Sequence, residues 1–190
     1  IVIGFSQIFS QLGIGPAIVQ RTDLNTVHLR VGFTISLILG GLVGIVFFFS
    51  APYLAVFFRM PQLKPVVEVL AWVFPITGLS VVGQALLQRN MQFKQLALID
   101  IFSYALCYGV LGIVLAMIGC GVWALVFAQI GQVLCSTVIL LAMHPETIGI
   151  RYEATELRQL VNYGFGFSLA RIANYVATQA DNLVVGKWMG

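Results

Sequence analysis

Charge is what this sequence has least of. Of its 190 residues only 9% are Asp, Glu, Lys or Arg, whereas 59% are hydrophobic. A soluble protein ordinarily carries about a quarter charged residues. A domain of this size leaves too much surface in water to do without them. The scarcity excludes a soluble globular domain and makes lipid the better solvent. The net charge of +3 is too small and too dispersed for a nucleic-acid-binding surface.

Catalytic and metal-binding side chains are just as thin on the ground. The two histidines, His28 and His144, have no Cys, Asp or Glu at ligand spacing, so no metal site is expected. Three cysteines, Cys107, Cys120 and Cys135, are odd in number and dispersed, which excludes a disulfide framework and leaves them as small apolar packing residues. No Walker loop occurs, and Gly164-Phe165-Gly166 does not complete a dinucleotide fingerprint, so no cofactor is expected. Among the acidic residues only Glu146, Glu153 and Glu156 cluster, and they read as the solvated side of an interfacial segment. An enzyme is not the expectation.

What the chain has in quantity is long uncharged runs. A bilayer core of about 30 Å takes roughly 20 helical residues at about 1.5 Å each. The pattern predicts an all-α integral membrane protein with spans at about 1–20, 31–58, 66–88, 97–118 and 122–143. A linker over 144–158 and a sixth, amphipathic helix over 159–190 follow. Pro52 is expected to kink or end its helix, and Gly119-Cys120-Gly121 to turn the chain between two spans. Gly40 and Gly44 have the small-xxx-small spacing of close helix packing. Arg21, Arg30, Arg89, Lys94, Arg151 and Arg158 fall in one set of loops, against Arg59 and Lys64 in the other. That six-to-two bias predicts cytoplasmic loops at 21–30, 89–94 and 144–158. Ile1 then lies near the outer face inside an apolar stretch, so a fragment missing one leading helix is expected.

The sixth helix is the most informative. At 100° per residue Arg171, Asn174, Tyr175, Thr178 and Asp181 share one side, opposite Leu169, Ile172, Val176 and Ala180. An arginine at mid-bilayer costs at least ~2.5 kcal/mol unless it meets water or a partner. The stripe therefore reads as a cavity wall. An internal pair for Arg171, or a helix lying on the membrane surface, also satisfies it. Fainter polar edges occur on the other spans: Gln7 with Gln11, Ser80 with Gln84 and Gln88, Asp100 with Ser103, Tyr104, Cys107 and Tyr108, and Gln129 with Gln132 and Ser136. Singly each suits interhelical hydrogen bonding. Together they suggest helices around a hydrated cavity, with Gln7, Gln11, Gln84, Asp100, Tyr104 and Gln129 as further lining candidates. Such an arrangement belongs to a transporter.

Several segments in order along the chain carry a family resemblance. They are Gly13-Ile14-Gly15 with Ala17-Ile18-Val19-Gln20-Arg21, Ala51-Pro52, and Leu86-Leu87-Gln88-Arg89-Asn90-Met91-Gln92-Phe93-Lys94. Gly119-Cys120-Gly121-Val122-Trp123-Ala124-Leu125 follows, then Tyr163-Gly164-Phe165, Asn174-Tyr175, Asp181 and Val185-Gly186. In these the chain resembles the O-antigen and colanic-acid type branch of the multidrug/oligosaccharidyl-lipid/polysaccharide flippase superfamily. The resemblance implies a two-lobed helical flippase with a central cavity and six spans per lobe. It makes 1–143 spans two to six of the first lobe, 144–158 a cytoplasmic inter-lobe linker and 159–190 the first span of the second. It further implies translocation of an undecaprenyl-pyrophosphate-linked oligosaccharide, a lipopolysaccharide or exopolysaccharide precursor, across the bacterial inner membrane by alternating access. The implied partners are the lipid-linked oligosaccharide, membrane lipid, and a polysaccharide polymerase with its chain-length machinery, and no nucleic acid. The competing expectations are a drug/cation antiporter of the same superfamily, and a membrane-embedded glycosyl- or acyltransferase.

Overall fold

The computed structural model describes residues 14–20 and 25–149. Among these every regular element is helical. We label the helices α1 (Ile14–Gln20), α2 (Thr26–Phe57), α3 (Leu63–Leu70), α4 (Val73–Arg89), α5 (Phe93–Tyr104), α6 (Ile113–Met117) and α7 (Val122–Met143). A π-helical stretch, Ala105–Gly112, joins α5 to α6, and a short 3-10 turn, Pro145–Thr147, follows α7. Among the described residues four runs are long and apolar enough to cross a membrane: Thr26–Phe57, Leu63–Arg89, Phe93–Met117 and Val122–Met143. The chain is a multi-pass membrane protein. The expected span over 159–190, and all but the end of the one over 1–20, lie outside the described residues.

Local chemistry explains where the runs begin, bend and stop. At the start of α2 the Asn25 N–H donates to His28 Nδ1 at 3.0 Å, which occupies a donor the helix itself cannot use. Pro52 does not end α2, which continues to Phe57. Pro75 does more. It has no N–H, so it cannot bond the Ala71 carbonyl, and the chain tightens there into 3-10-type contacts, Trp72 N–H to Val69 O at 3.2 Å and Phe74 N–H to Ala71 O at 3.4 Å. This stutter divides the run into α3 and α4.

Three spans end in the same six-residue closure. Met60 N–H bonds Ala55 O, Gln92 N–H bonds Leu87 O, and Cys120 N–H bonds Leu115 O, at 3.0, 2.8 and 3.1 Å. The left-handed residue each closure needs is Arg59 (φ 55°), Met91 (φ 56°) and Gly119 (φ 90°). Only the last is a glycine, the residue for which this conformation is free of steric cost.

Helix α4 is the centre of the bundle, with α1, α2 and α7 packed around it. Its contact with α2 is backbone to backbone. A Cβ at Gly40 would lie 2.6 Å from the Phe74 carbonyl oxygen, one at Gly44 2.9 Å from that of Ala71, and one at Gly78 2.5 Å from that of Ser36. Around this seam, Ile14 and Ile18 of α1, Val31 and Phe33 of α2 and Val82 and Leu86 of α4 form one apolar cluster. Leu87, Ile99 and Leu140 form another where α4, α5 and α7 meet.

These contacts bring one set of loops to one end of the bundle. Arg89 Nη1 donates to the Ile18 carbonyl at 2.9 Å, and a Cβ at Gly149 would lie 2.8 Å from Arg30 Cδ. The ends of α1 and α4, the beginning of α2 and the segment after α7 therefore share a face. The run Phe93–Met117 lies at the edge and is the least buried of the four.

Candidate functional site

The polar edge expected on the fourth run divides in the structure. Ser103 and Cys107 turn into the packed side and are buried. Asp100 and Tyr104 stay on the open side, Tyr104 with 57% of its surface exposed. Tyr108, half-buried, stands between the two. Ordinary α geometry already separates Ser103 from Tyr104, because steps of about 100° put the two on either side of Asp100. From Ala105 the helix widens to π geometry, so that step no longer fixes where Tyr108 stands.

Two contacts hold this stretch against α7. A Cβ at Gly131 would lie 3.2 Å from Cys107 Sγ, and one at Gly112 3.4 Å from Ala128 Cβ, so small residues on each side let the helices close. The approach brings the Tyr108 hydroxyl to Gln129 Oε1, to which it donates at 2.6 Å. Gln129 is buried, so the bond satisfies a polar atom withdrawn from water. The Tyr104 ring stacks on that of Tyr108, centroids 4.8 Å apart and planes 21° from parallel. Tyr104 and Gln129, both lining candidates, are thus linked through Tyr108, a residue the sequence places on the strip but not among the candidates.

Gln84 stands apart on α4, half-buried. Near it, Ser80 donates to the Thr77 carbonyl at 2.9 Å, and Thr137 of α7 donates to that of Ile76 at 3.3 Å. Both spend their hydroxyls on helix backbone, which is packing chemistry rather than a binding site. The remaining candidates, Gln7, Gln11, Arg171, Asn174, Tyr175, Thr178 and Asp181, lie outside the described residues. Charge within the described spans is confined to Asp100 and the helix ends, where Lys64 pairs with Glu68 at 3.9 Å. Among the described residues no three His, Cys, Asp or Glu side chains gather as a metal site would require. The arrangement offers a polar aromatic surface inside a membrane span.

A family model described as "Polysaccharide biosynthesis protein" matches residues 1–190. The teichuronic acid biosynthesis protein TuaB of Bacillus subtilis is 26% identical over 98% of this chain and 39% of its own length. The succinoglycan biosynthesis transport protein ExoT of Rhizobium meliloti is 24% identical over the whole chain and 38% of its own length. The lipopolysaccharide biosynthesis protein WzxC of Escherichia coli is 20% identical over the whole chain and 39% of its own length. The chain thus spans about two fifths of these relatives. No solved structure matches it.

Proposed function

Because the chain belongs to the polysaccharide biosynthesis protein family, we propose that it supplies most of the first lobe of a flippase and the first span of the second. Its cargo is an oligosaccharide linked to undecaprenyl pyrophosphate, carried across the bacterial inner membrane by alternating access, with no bond broken. The observation that carries this reading is the family match along all 190 residues, to which relatives named as a transport protein and as polysaccharide biosynthesis proteins add support. A transporter of this kind binds cargo near the bilayer midplane between two helical bundles. In this reading Asp100, Tyr104 and Tyr108, on the least buried of the four runs, face the cargo, with Gln129 of α7 bonded to Tyr108. In this reading Arg171, on the span of the second lobe, grips the pyrophosphate, since a guanidinium can hold two phosphate oxygens at once. Gln7, Gln11, Gln84, Asn174, Tyr175, Thr178 and Asp181 line the rest of the path.

The test is deletion of the full-length gene in its native host. Surface polysaccharide should disappear while lipid-linked repeat units accumulate on the cytoplasmic side. Restoration should require the full-length gene. Unchanged surface polysaccharide in the deletion strain overturns the reading.

A further inference from the structure

A polar strip on a membrane-crossing helix calls for an explanation when it lies far from both ends. Tyr104 is eleven residues from Phe93, which opens a run of 25 residues. At about 1.5 Å per residue it sits roughly 17 Å along the axis, near the middle of a hydrocarbon core of about 30 Å. Lipid-facing tyrosines belong at the two interfaces, where the hydroxyl reaches water. A carboxylate such as Asp100, one turn before it, is costly against acyl chains. The strip of this span that carries Asp100 and Tyr104 therefore faces water or polar matter, while the exposed Ile101 and Phe102 beside it suit lipid.

The strip has the form of a prepared surface. Tyr108 is fixed across the helix interface by its bond to Gln129, at 2.6 Å. Tyr104 stacks on that fixed ring at 4.8 Å and takes its orientation from it, with 57% of the residue's surface open. A flat aromatic ring presents a negative face that suits the polarised C–H bonds on one face of a pyranose. The neighbouring carboxylate suits the sugar's hydroxyls as a charge-assisted acceptor. The same carboxylate repels a pyrophosphate, which has charge of its own sign.

We infer that Tyr104, backed by Tyr108 and Gln129 and flanked by Asp100, forms a sugar-stacking subsite on the translocation path. It takes the glycan of the cargo and not its pyrophosphate. The inference rests on the lipid-linked-glycan reading above and adds to it where the sugar is held.

The experiment uses the full-length protein in lipid nanodiscs and two probes: a short-chain polyprenyl pyrophosphate, and the same molecule carrying one N-acetylglucosamine. Calorimetric titration should show the sugar-bearing probe bound roughly fivefold tighter, the scale of one aromatic stacking contact. Tyr104→Ala should abolish that preference and leave affinity for the sugar-free probe within about twofold, the scatter expected where no contact is lost. Tyr104→Phe should keep the preference. Should Tyr104→Ala fail to fold, Tyr104→Leu keeps the apolar bulk without the ring and should behave in its place. If neither probe binds the wild type, the lipid-linked-glycan reading falls and the subsite with it. If the wild type binds both equally, or the ring-less variant keeps the preference or loses both probes alike, the subsite alone is overturned.

Discussion

The seam between α2 and α4 makes a graded prediction. At Gly78 a Cβ would stand 2.5 Å from the Ser36 carbonyl oxygen, whereas ordinary contact begins at 3.4 Å. The atom it meets is backbone, so no side chain can rotate out of the way. Gly78→Ala must therefore part the two helices locally by about 0.9 Å, the difference between those two distances. Parting them there also loosens Gly40 against Phe74, Gly44 against Ala71, and the Phe47–Phe74 ring contact at 4.6 Å. Overpacking of this kind costs ~1–3 kcal/mol. Alanine's better helix propensity offsets up to ~1 kcal/mol of it. The control lies on α2, beside Gly40: a Cβ at Gly41 meets nothing within 4 Å, so Gly41→Ala gains propensity without a clash.

The expected order of stability is Gly41→Ala at or above wild type, then Gly44→Ala, then Gly40→Ala, with Gly78→Ala lowest. The order follows the distances of 2.9, 2.6 and 2.5 Å. Thermal unfolding of the purified full-length protein in detergent, followed by tryptophan fluorescence, measures it. A Gly78→Ala variant as stable as Gly41→Ala would refute the backbone-to-backbone seam.

Met91→Gly and Arg59→Gly should each stabilise the same preparation by ~1 kcal/mol, since φ near 55° strains any residue with a Cβ; lowered melting temperatures would contradict the left-handed caps. In a background without native cysteines, Asn90→Cys should be protected from an impermeant thiol reagent in intact cells while Gln62→Cys reacts, and the reverse pattern would invert the topology. Arg171→Ala should insert normally and abolish surface polysaccharide, with Arg171→Lys partly active; wild-type polysaccharide from Arg171→Ala would leave that residue a packing role.

How far the fold was legible depended on whether a feature lies within one segment or between two. The Gly119-Cys120-Gly121 turn was readable because glycine is the residue that takes positive φ, and both glycines do. Arg59 and Met91 take the same conformation with nothing in their chemistry to announce it. The hydrogen bonds of the closure impose it, and those depend on neighbours five residues back. Gly40 and Gly44 announced close packing through their spacing, but Gly78, which makes the tightest approach of the three, is visible only once α2 and α4 are side by side. The candidate site followed the same rule. Tyr108 and Gln129 each belonged to a recognisable polar edge, yet they are 21 residues apart and a helical wheel has no way to join them. The π geometry was hidden more completely. The polar edge ends at Tyr108 and apolar residues follow, so no later member of the pattern betrays the slippage of a wider turn. Gly109 and Gly112 were the one available sign, and glycines occur throughout the chain, 19 of them.

The basic loops show how a weak pattern in the sequence becomes a strong constraint in three dimensions. Each Lys or Arg contributes little to orientation alone, and a single loop could be carried to either side. In the structure, however, Arg89 is bound to the end of α1 and Arg30 lies against Gly149 beyond α7. The loops of the richer set are thus joined through the bundle and cannot take opposite sides of the membrane without undoing those contacts. Their charges act as one group. Charge removal at one position, Arg30→Gln for example, should therefore leave the orientation intact, whereas neutralising Arg30, Arg89 and Lys94 together should mix it. The thiol-labelling ratio of Asn90→Cys to Gln62→Cys reads the difference. A graded shift with each charge removed would mean that the loops insert independently and that the contacts form only afterwards.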